Sequence, residues 1–186
     1  MANSLPDNSS PSGMRQDCDS ATVLQLAESS ARLAALDSVM DIMVAAFDPI
    51  YGEAWNRTQT QSMLMLPRTK LWMLQYNITH NFKDMIGKTN IGFAITSGYA
   101  DEHELMLVAI RPDWQSLGMG RTLLQAIFLN AQETGISKLF LEMRHNNPAA
   151  SFYHGLGFSP IGRRKNYYSG IDGQKYDAIT LVKAMP

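Results

Sequence analysis

The chain has 186 residues, enough for one domain with a substantial core, and 45% of them are hydrophobic. A formal net charge of −1 argues against general nucleic-acid binding, and the single cysteine, Cys18, excludes an internal disulfide framework and fits a reducing cytoplasm. No apolar run reaches the roughly 18 residues of a membrane span, and the polar start has neither the basic flank nor the apolar stretch of a secretory signal.

Residues 1–20 are rich in Ser, Asn, Asp and Pro and read as a disordered polar tail, which leaves 21–186 as a single domain. Thr22–Glu28 alternates as a strand does. Ser29 and Ser30 then cap a helix whose apolar positions (Leu33, Leu36, Val39, Met40, Met43, Val44 and Phe47) keep helical spacing. Asp48 to Gly52 break it, and a second helix is predicted from Trp55 to Leu66, ending before Pro67. Strands follow at Lys70–Tyr76, Ile91–Ser97 and Glu104–Ile110, the last stopped by Arg111-Pro112-Asp113. A Gly-rich turn leads into a helix over Arg121–Glu133, with apolar Leu123, Leu124, Ile127 and Phe128 on one face. The strand Lys138–Met143, a short helix near Pro148–Leu156, and strands near Ser159–Lys165 and Lys175–Ala184 complete the chain. This order predicts a mixed α/β sheet. The four histidines, His80, His103, His145 and His154, have no metal-ligand spacing and read as surface or loop residues.

The junction Gln115-Ser116-Leu117-Gly118-Met119-Gly120-Arg121 carries the most chemical information. Two glycines between a strand and a helix let backbone N–H groups converge without Cβ obstruction, and the helix start adds free N–H groups and a positive dipole end. Such a cradle suits a pyrophosphate. Gly-x-Gly alone also fits a plain strand–helix turn. A dinucleotide site is the rival, with Glu142 available for a ribose, but Leu123 stands where that fingerprint has its third glycine and the preceding strands read as a meander.

Taken as a set, Gln115-x-x-Gly118-x-Gly120, the strand end Glu142-Met143-Arg144 and the segment Asn146-x-x-Ala-x-x-x-Tyr153-x-x-x-Gly157-Phe158 resemble the GNAT acyl-CoA N-acyltransferase family. The resemblance implies an α/β GNAT fold: a mixed central sheet of about seven strands with about four helices. It implies acetyl-CoA as co-substrate and no metal. Gln115, Ser116, Leu117, Gly118, Met119, Gly120 and Arg121 would cradle the pyrophosphate, although Ser116 and Leu117 replace the usual basic residues. The strand backbone at Val108 and Ile110 would hold the thioester, and Asn146 and Tyr153 would border the pantetheine and thiol. Only one residue separates Arg144 from Asn146, where the family usually has two.

The tail Tyr167-Tyr168-Ser169-Gly170 with Asp177-Ala178 is similar to the RimI-type branch, which acetylates the N-terminal alanine of a small-subunit ribosomal protein. That similarity implies a peptide or protein N-terminus as acceptor, with Trp55, Tyr167 and Tyr168 lining its groove, and no membrane or direct nucleic-acid partner. The link from Asp48 to Trp55 is longer and more polar than the branch leads one to expect. Glu142 matches the family's base and Tyr153 its acid. An α-amine, with a pKa of about 7.7–8.0, needs only a modest base to become a neutral nucleophile. Two other functions stay open: a small-amine acetyltransferase, against which no acidic pocket is evident beyond Asp101, Glu102 and Glu104 in a turn, and a non-catalytic acetyl-CoA sensor.

Overall fold

The computed structural model describes residues 20–82 and 85–186, and the side chains of these except 79–86. Strands β1 (Ser20–Leu26), β2 (Thr69–Phe82), β3 (Met85–Tyr99), β4 (Glu102–Ile110), β5 (Lys138–Arg144), β6 (Ser159–Ser169) and β7 (Lys175–Ala184) form one seven-stranded sheet, ordered β1-β2-β3-β4-β5-β7-β6. β1 to β4 make an antiparallel meander, β4 and β5 run parallel, and β7 lies antiparallel between β5 and β6. Helices α1 (Ser29–Ala34), α2 (Leu36–Ala46) and α3 (Arg57–Met65) belong to one face, and α4 (Met119–Glu133) and α5 (Ala150–Gly155) to the other.

Each face has its own apolar layer. Leu36, Val39, Ile42 and Met43 of α2 and Leu64 of α3 pack on Leu71, Met73, Phe93, Ile95, Leu107 and Ala109. On the opposite face Leu123, Leu124, Ile127 and Ala131 of α4 pack on Trp72, Leu74, Ala94, Leu105, Leu139 and Leu141. Helical spacing in the helices and alternation in the strands thus supply matching stripes. The α4 stripe predicted from sequence is the buried one, with Phe128 only partly covered.

The seven-stranded mixed sheet is the one expected, and among the described residues five α-helices stand where about four were expected. The difference lies at Ala35, where the helix foreseen from Ser29 to Phe47 breaks. No proline or glycine marks the break. Arg32 explains it: its buried guanidinium donates to the carbonyls of Ala27, Leu64 and Leu66, which ties α1 to the end of α3, while α2 turns onto the sheet. α3 begins at Arg57 behind an Asn56–Gln59 capping box, so Trp55 precedes it. β2 and β3 extend well past the predicted strands because they continue as a hairpin, pairing Ile78 with Gly87 and Phe82 with Met85, through a polar stretch without alternation. Tyr167 and Tyr168 stand within β6, not on the loop beyond it. His103 lies half-buried in β4, contrary to its surface or loop reading, and burial pulls its pKa down. Of the polar tail expected over 1–20, only Ser20 lies within the described residues, where it opens β1.

Arg32 is 1% exposed and bridges three backbone carbonyls across sequence-distant segments. Replacing Arg32 with Met keeps the apolar stem and strands those acceptors, which costs about 1–3 kcal/mol per orphaned group. The expected result is a fall in Tm of several degrees with unchanged far-UV circular dichroism at 20 °C, measured by thermal melting.

Candidate active site

The site begins with an irregularity in β4. Ile95 pairs with Leu107 and Thr96 with Leu105, so Met106 is an extra residue bulging from β4. A bulge bends its strand. The parallel ladder with β5 accordingly ends at Leu105 and Leu141, while β5 stays paired with β7 as far as Arg144 and Ala178. Between the diverging strands lies a cleft of about 190 Å³. Its wall includes the stretch of β4 beyond its pairing with β5, Met106 to Val108, together with Leu141, Glu142 and Met143 of β5.

Six of the residues foreseen from sequence meet in this cleft: Trp55, Val108, Glu142, Tyr153, Tyr167 and Tyr168. Glu142 accepts hydrogen bonds from the guanidinium of Arg164 and, at 3.1 Å, from the hydroxyl of Thr180. Arg164 also lies 4.4 Å from the centroid of the Tyr167 ring, and the Tyr167 and Tyr168 rings meet edge to face at 5.1 Å. Tyr153 is 8% exposed, and its hydroxyl has no hydrogen-bond partner among the described residues. Burial, then the charge of Glu53, push its pKa far above the ordinary phenol value, so it stays protonated throughout the neutral range. Burial and Glu53 raise Tyr168 in the same sense.

The sequence reading missed two carboxylates and one asparagine. Glu53, in the link between α2 and α3, lies 3.5 Å from the buried Nε of Arg144 and accepts from Asn147 Nδ2 at 3.5 Å. Arg144 in turn stacks 3.5 Å from the Tyr51 ring centroid, which pins the link over the cleft. Glu104 lies in β4, as the predicted strand Glu104–Ile110 has it, and it lines the cleft with Glu53 and Glu142. Burial, then the Glu142 charge, raise its pKa, and Arg164 partly offsets them. An acidic pocket is therefore present where none was expected. Asn146 is exposed and bonded to Arg144, whereas Asn147 lines the cleft and caps the turn into α5 by accepting from Ala149 N–H at 2.9 Å. The available signals were the unusual polarity of the 48–55 link and an acid inside an apolar strand; the second asparagine carried none.

Ile110 and the 115–121 segment lie outside the cleft lining, at the end of β4 where the chain turns into α4. Gln115 Nε2 donates to the Ile110 carbonyl at 2.9 Å and closes that turn. Gly118 has φ +81° with open space beside it, and no side chain caps α4. The N–H groups from Gly118 to Arg121 have no backbone acceptor among the described residues. At the start of a 15-residue helix they form an anion-accepting end. Among the described residues no group of three or more His, Cys, Asp or Glu side chains could hold a metal ion, and no helix is long and apolar enough to cross a membrane.

Residues 71–160 match the model for the acetyltransferase (GNAT) domain. The [ribosomal protein bS18]-alanine N-acetyltransferase of Escherichia coli strain K12 is 38% identical over 110 residues, covering 59% of this chain and 70% of the relative. Its Haemophilus influenzae counterpart is 36% identical over 102 residues, covering 55% and 70%. The chain belongs to the GNAT acetyltransferase family. The crystal structure of the ribosomal-protein-S18-alanine N-acetyltransferase from Escherichia coli superposes with a TM-score of 0.72 at 29% identity, over 89% of this chain and 94% of that one. Arabidopsis thaliana NAA60 in complex with acetyl-CoA, 15% identical, shares the fold with a TM-score of 0.69 over 89% and 99%. The chain is thus an acetyl-CoA-dependent N-acetyltransferase.

A Cβ on Gly120 would come within 3.2 Å of the Phe152 ring and stand among the free N–H groups. Gly120→Val is expected to weaken acetyl-CoA binding at least tenfold by isothermal titration while the far-UV spectrum is retained. Unchanged affinity would remove the 115–121 segment from the acyl-CoA site.

Proposed function

We propose that this enzyme acetylates the α-amino group of protein N-termini, with an alanine-starting small-subunit ribosomal protein as the acceptor class, in the cytoplasm. The observation that carries this is the lining of the cleft, which brings the aromatic side chains of Trp55, Tyr167 and Tyr168 together with Glu142 and Tyr153. Relatives named for acetylating the alanine of bS18 support the same acceptor.

Acetyl-CoA, when bound, supplies an activated thioester carbonyl. The 115–121 N–H groups hold its pyrophosphate, and the free β4 backbone at Val108 orients and polarises the carbonyl. Glu142 removes a proton from the acceptor's ammonium, directly or through water. The Arg164 and Thr180 contacts to one of its oxygens leave the other to do so. The neutral nitrogen attacks, the C–S bond breaks, and Tyr153 gives its hydroxyl proton to the departing sulfur. Being protonated at all working pH values, Tyr153 starts each turnover as a donor. The attacking nitrogen loses its second proton to solvent as the amide forms and Tyr153 recovers one from solvent, so of the two protons lost from nitrogen one is released net per acetyl group transferred.

Glu142→Gln is expected to cut kcat/KM by about 10²–10⁴ at pH 7, the range of a positioned base. The loss shrinks above the amine's pKa of about 8, where the nucleophile is already neutral. A pH–rate profile with equal loss at pH 7 and 9.5 would make Glu142 a positioning residue.

Acceptor class is read by mass spectrometry. An alanine-starting hexapeptide should gain one acetyl group on its α-nitrogen, and an α-blocked peptide containing lysine should gain none. Tyr168→Ala should raise the peptide's KM several-fold with acetyl-CoA affinity held. The three carboxylates favour a polyamine as the second reading, and faster acetylation of spermine than of any peptide would establish it in place of the first.

A further inference from the structure

We propose that Glu104 selects acceptors bearing a fixed positive charge, a lysine or arginine side chain, close behind the N-terminal residue. This rests on the N-terminal acceptor reading and names its sequence class.

Charge accounting in the cleft points there. Among the described residues its lining holds three carboxylates, Glu53, Glu104 and Glu142, and no Lys, Arg or His. Two guanidiniums reach in from behind: Arg164 bonds Glu142, and Arg144 sits 3.5 Å from Glu53. Glu104 has no hydrogen bond or ion pair among the described residues, though the Arg164 charge is felt there. One negative charge is left over, on a half-buried strand position. A partly desolvated carboxylate without a partner is costly unless a ligand supplies one. The α-amine does not supply it at the moment of reaction, because attack requires that nitrogen neutral. A lysine or arginine side chain keeps its charge throughout.

Position and surroundings agree. Leu105 packs in the α4-side layer and Met106 and Leu107 in the α2–α3 layer, so Glu104 precedes the bulge on the α2–α3 side. Glu142, flanked by Leu141 and Met143 of the α4-side layer, points to that same side. There the 48–55 link and the two tyrosines form the acceptor wall. Phe47, Trp55, Tyr167 and Tyr168 add aromatic faces that favour a cation. Independently of the carboxylates, the Tyr153 side chain, 8% exposed, lines the cleft with a hydroxyl that makes no hydrogen bond among the described residues, and so marks the cleft as a place where a ligand completes the hydrogen bonding.

Two hexapeptides identical except for Lys or Ser after the N-terminal Ala test the proposal. The wild-type enzyme should favour the lysine peptide roughly tenfold in kcat/KM, mainly through KM, as one favourable charge pair of about 1.4 kcal/mol gives. That preference should fade between 50 mM and 500 mM salt, a measurement that needs no variant. Glu104→Gln should bring the two peptides within about twofold, and Glu104→Lys should turn the preference toward the serine peptide. Equal use of both peptides by the wild type overturns the proposal and leaves N-terminal acetylation standing. So does an unchanged preference in Glu104→Gln. An equal drop in kcat for both peptides also overturns it, because Glu104 would then serve proton transfer. Acetylation of spermine with no peptide turnover removes the N-terminal reading and this proposal with it.

Discussion

The extra residue in β4 is the constraint on which the site depends. With Met106 bulged, β4 cannot remain parallel to β5 beyond Leu105, and β5 cannot follow it because its other edge is locked to β7. Backbone groups left without a ladder partner are tolerated only where solvent or a ligand meets them. A sheet that opens in its middle thus creates donors and acceptors along a cleft that both faces can reach. A regular β4 would zip the sheet shut and bury the same residues in a continuous core.

The opening divides labour between the faces. Tyr153 and Val108 belong with the α4-side layer, where the glycine turn also lies, and Glu142, Trp55 and Phe47 belong with the other. The cleft is therefore lined by side chains from both layers. The acceptor side is built largely from irregular chain, and its rigidity comes from a few strong contacts. Arg144, 3% exposed, stacks on Tyr51 and faces Glu53, while Ile171 N–H donates to the Ile50 carbonyl at 3.1 Å, so the 48–55 link is clamped between β5 and the β6–β7 turn. Gly52 has φ +63°, and a Cβ there would fall 2.5 Å from the Ser169 carbonyl oxygen, so glycine is required on both counts.

Much of this was legible in the residues, for physical reasons that differ by element. The apolar stripe of α4 and the alternation in β4 and β7 fix those elements because periodicity reports burial directly. The glycine turn was legible because a strand–helix junction needs specific backbone freedom there. Glu142 and Tyr153 came from the family motif, and the fold does bring them to one cleft. What stayed hidden depends on long-range contact. The break at Ala35 is set by Arg32 reaching carbonyls more than 30 residues away. The bulge at Met106 is a property of the β3–β4 pairing, invisible in β4 alone. Glu104 reads as an ordinary solvent-facing acid until the ladder beside it is known to end. Asn146 and Asn147 are adjacent, and only the cap on Ala149 tells which one turns inward.

The placement of the two tyrosines shows how far a single acid acts through backbone geometry. Asn166 sits at φ +56°, a left-handed conformation that asparagine tolerates better than most residues, and the β6–β7 register shifts between Arg164 and Tyr168. Asp177 holds this irregularity: it accepts from Asn166 N–H at 2.8 Å and from Arg163 Nε at 2.6 Å. Those bonds, the backbone one foremost, hold its carboxyl below the usual range, so the clamp is intact at every pH where a terminal amine is a nucleophile. Without the shift, alternation along β6 would put Tyr168 on the same face as Arg164 and Asn166, and Tyr167 on the other. With it, Tyr167 and Tyr168 both reach the cleft while Arg164 keeps its bond to Glu142. An edge strand that breaks its own register thus presents the cation bound to Glu142 and two cleft-lining rings together, from five consecutive residues.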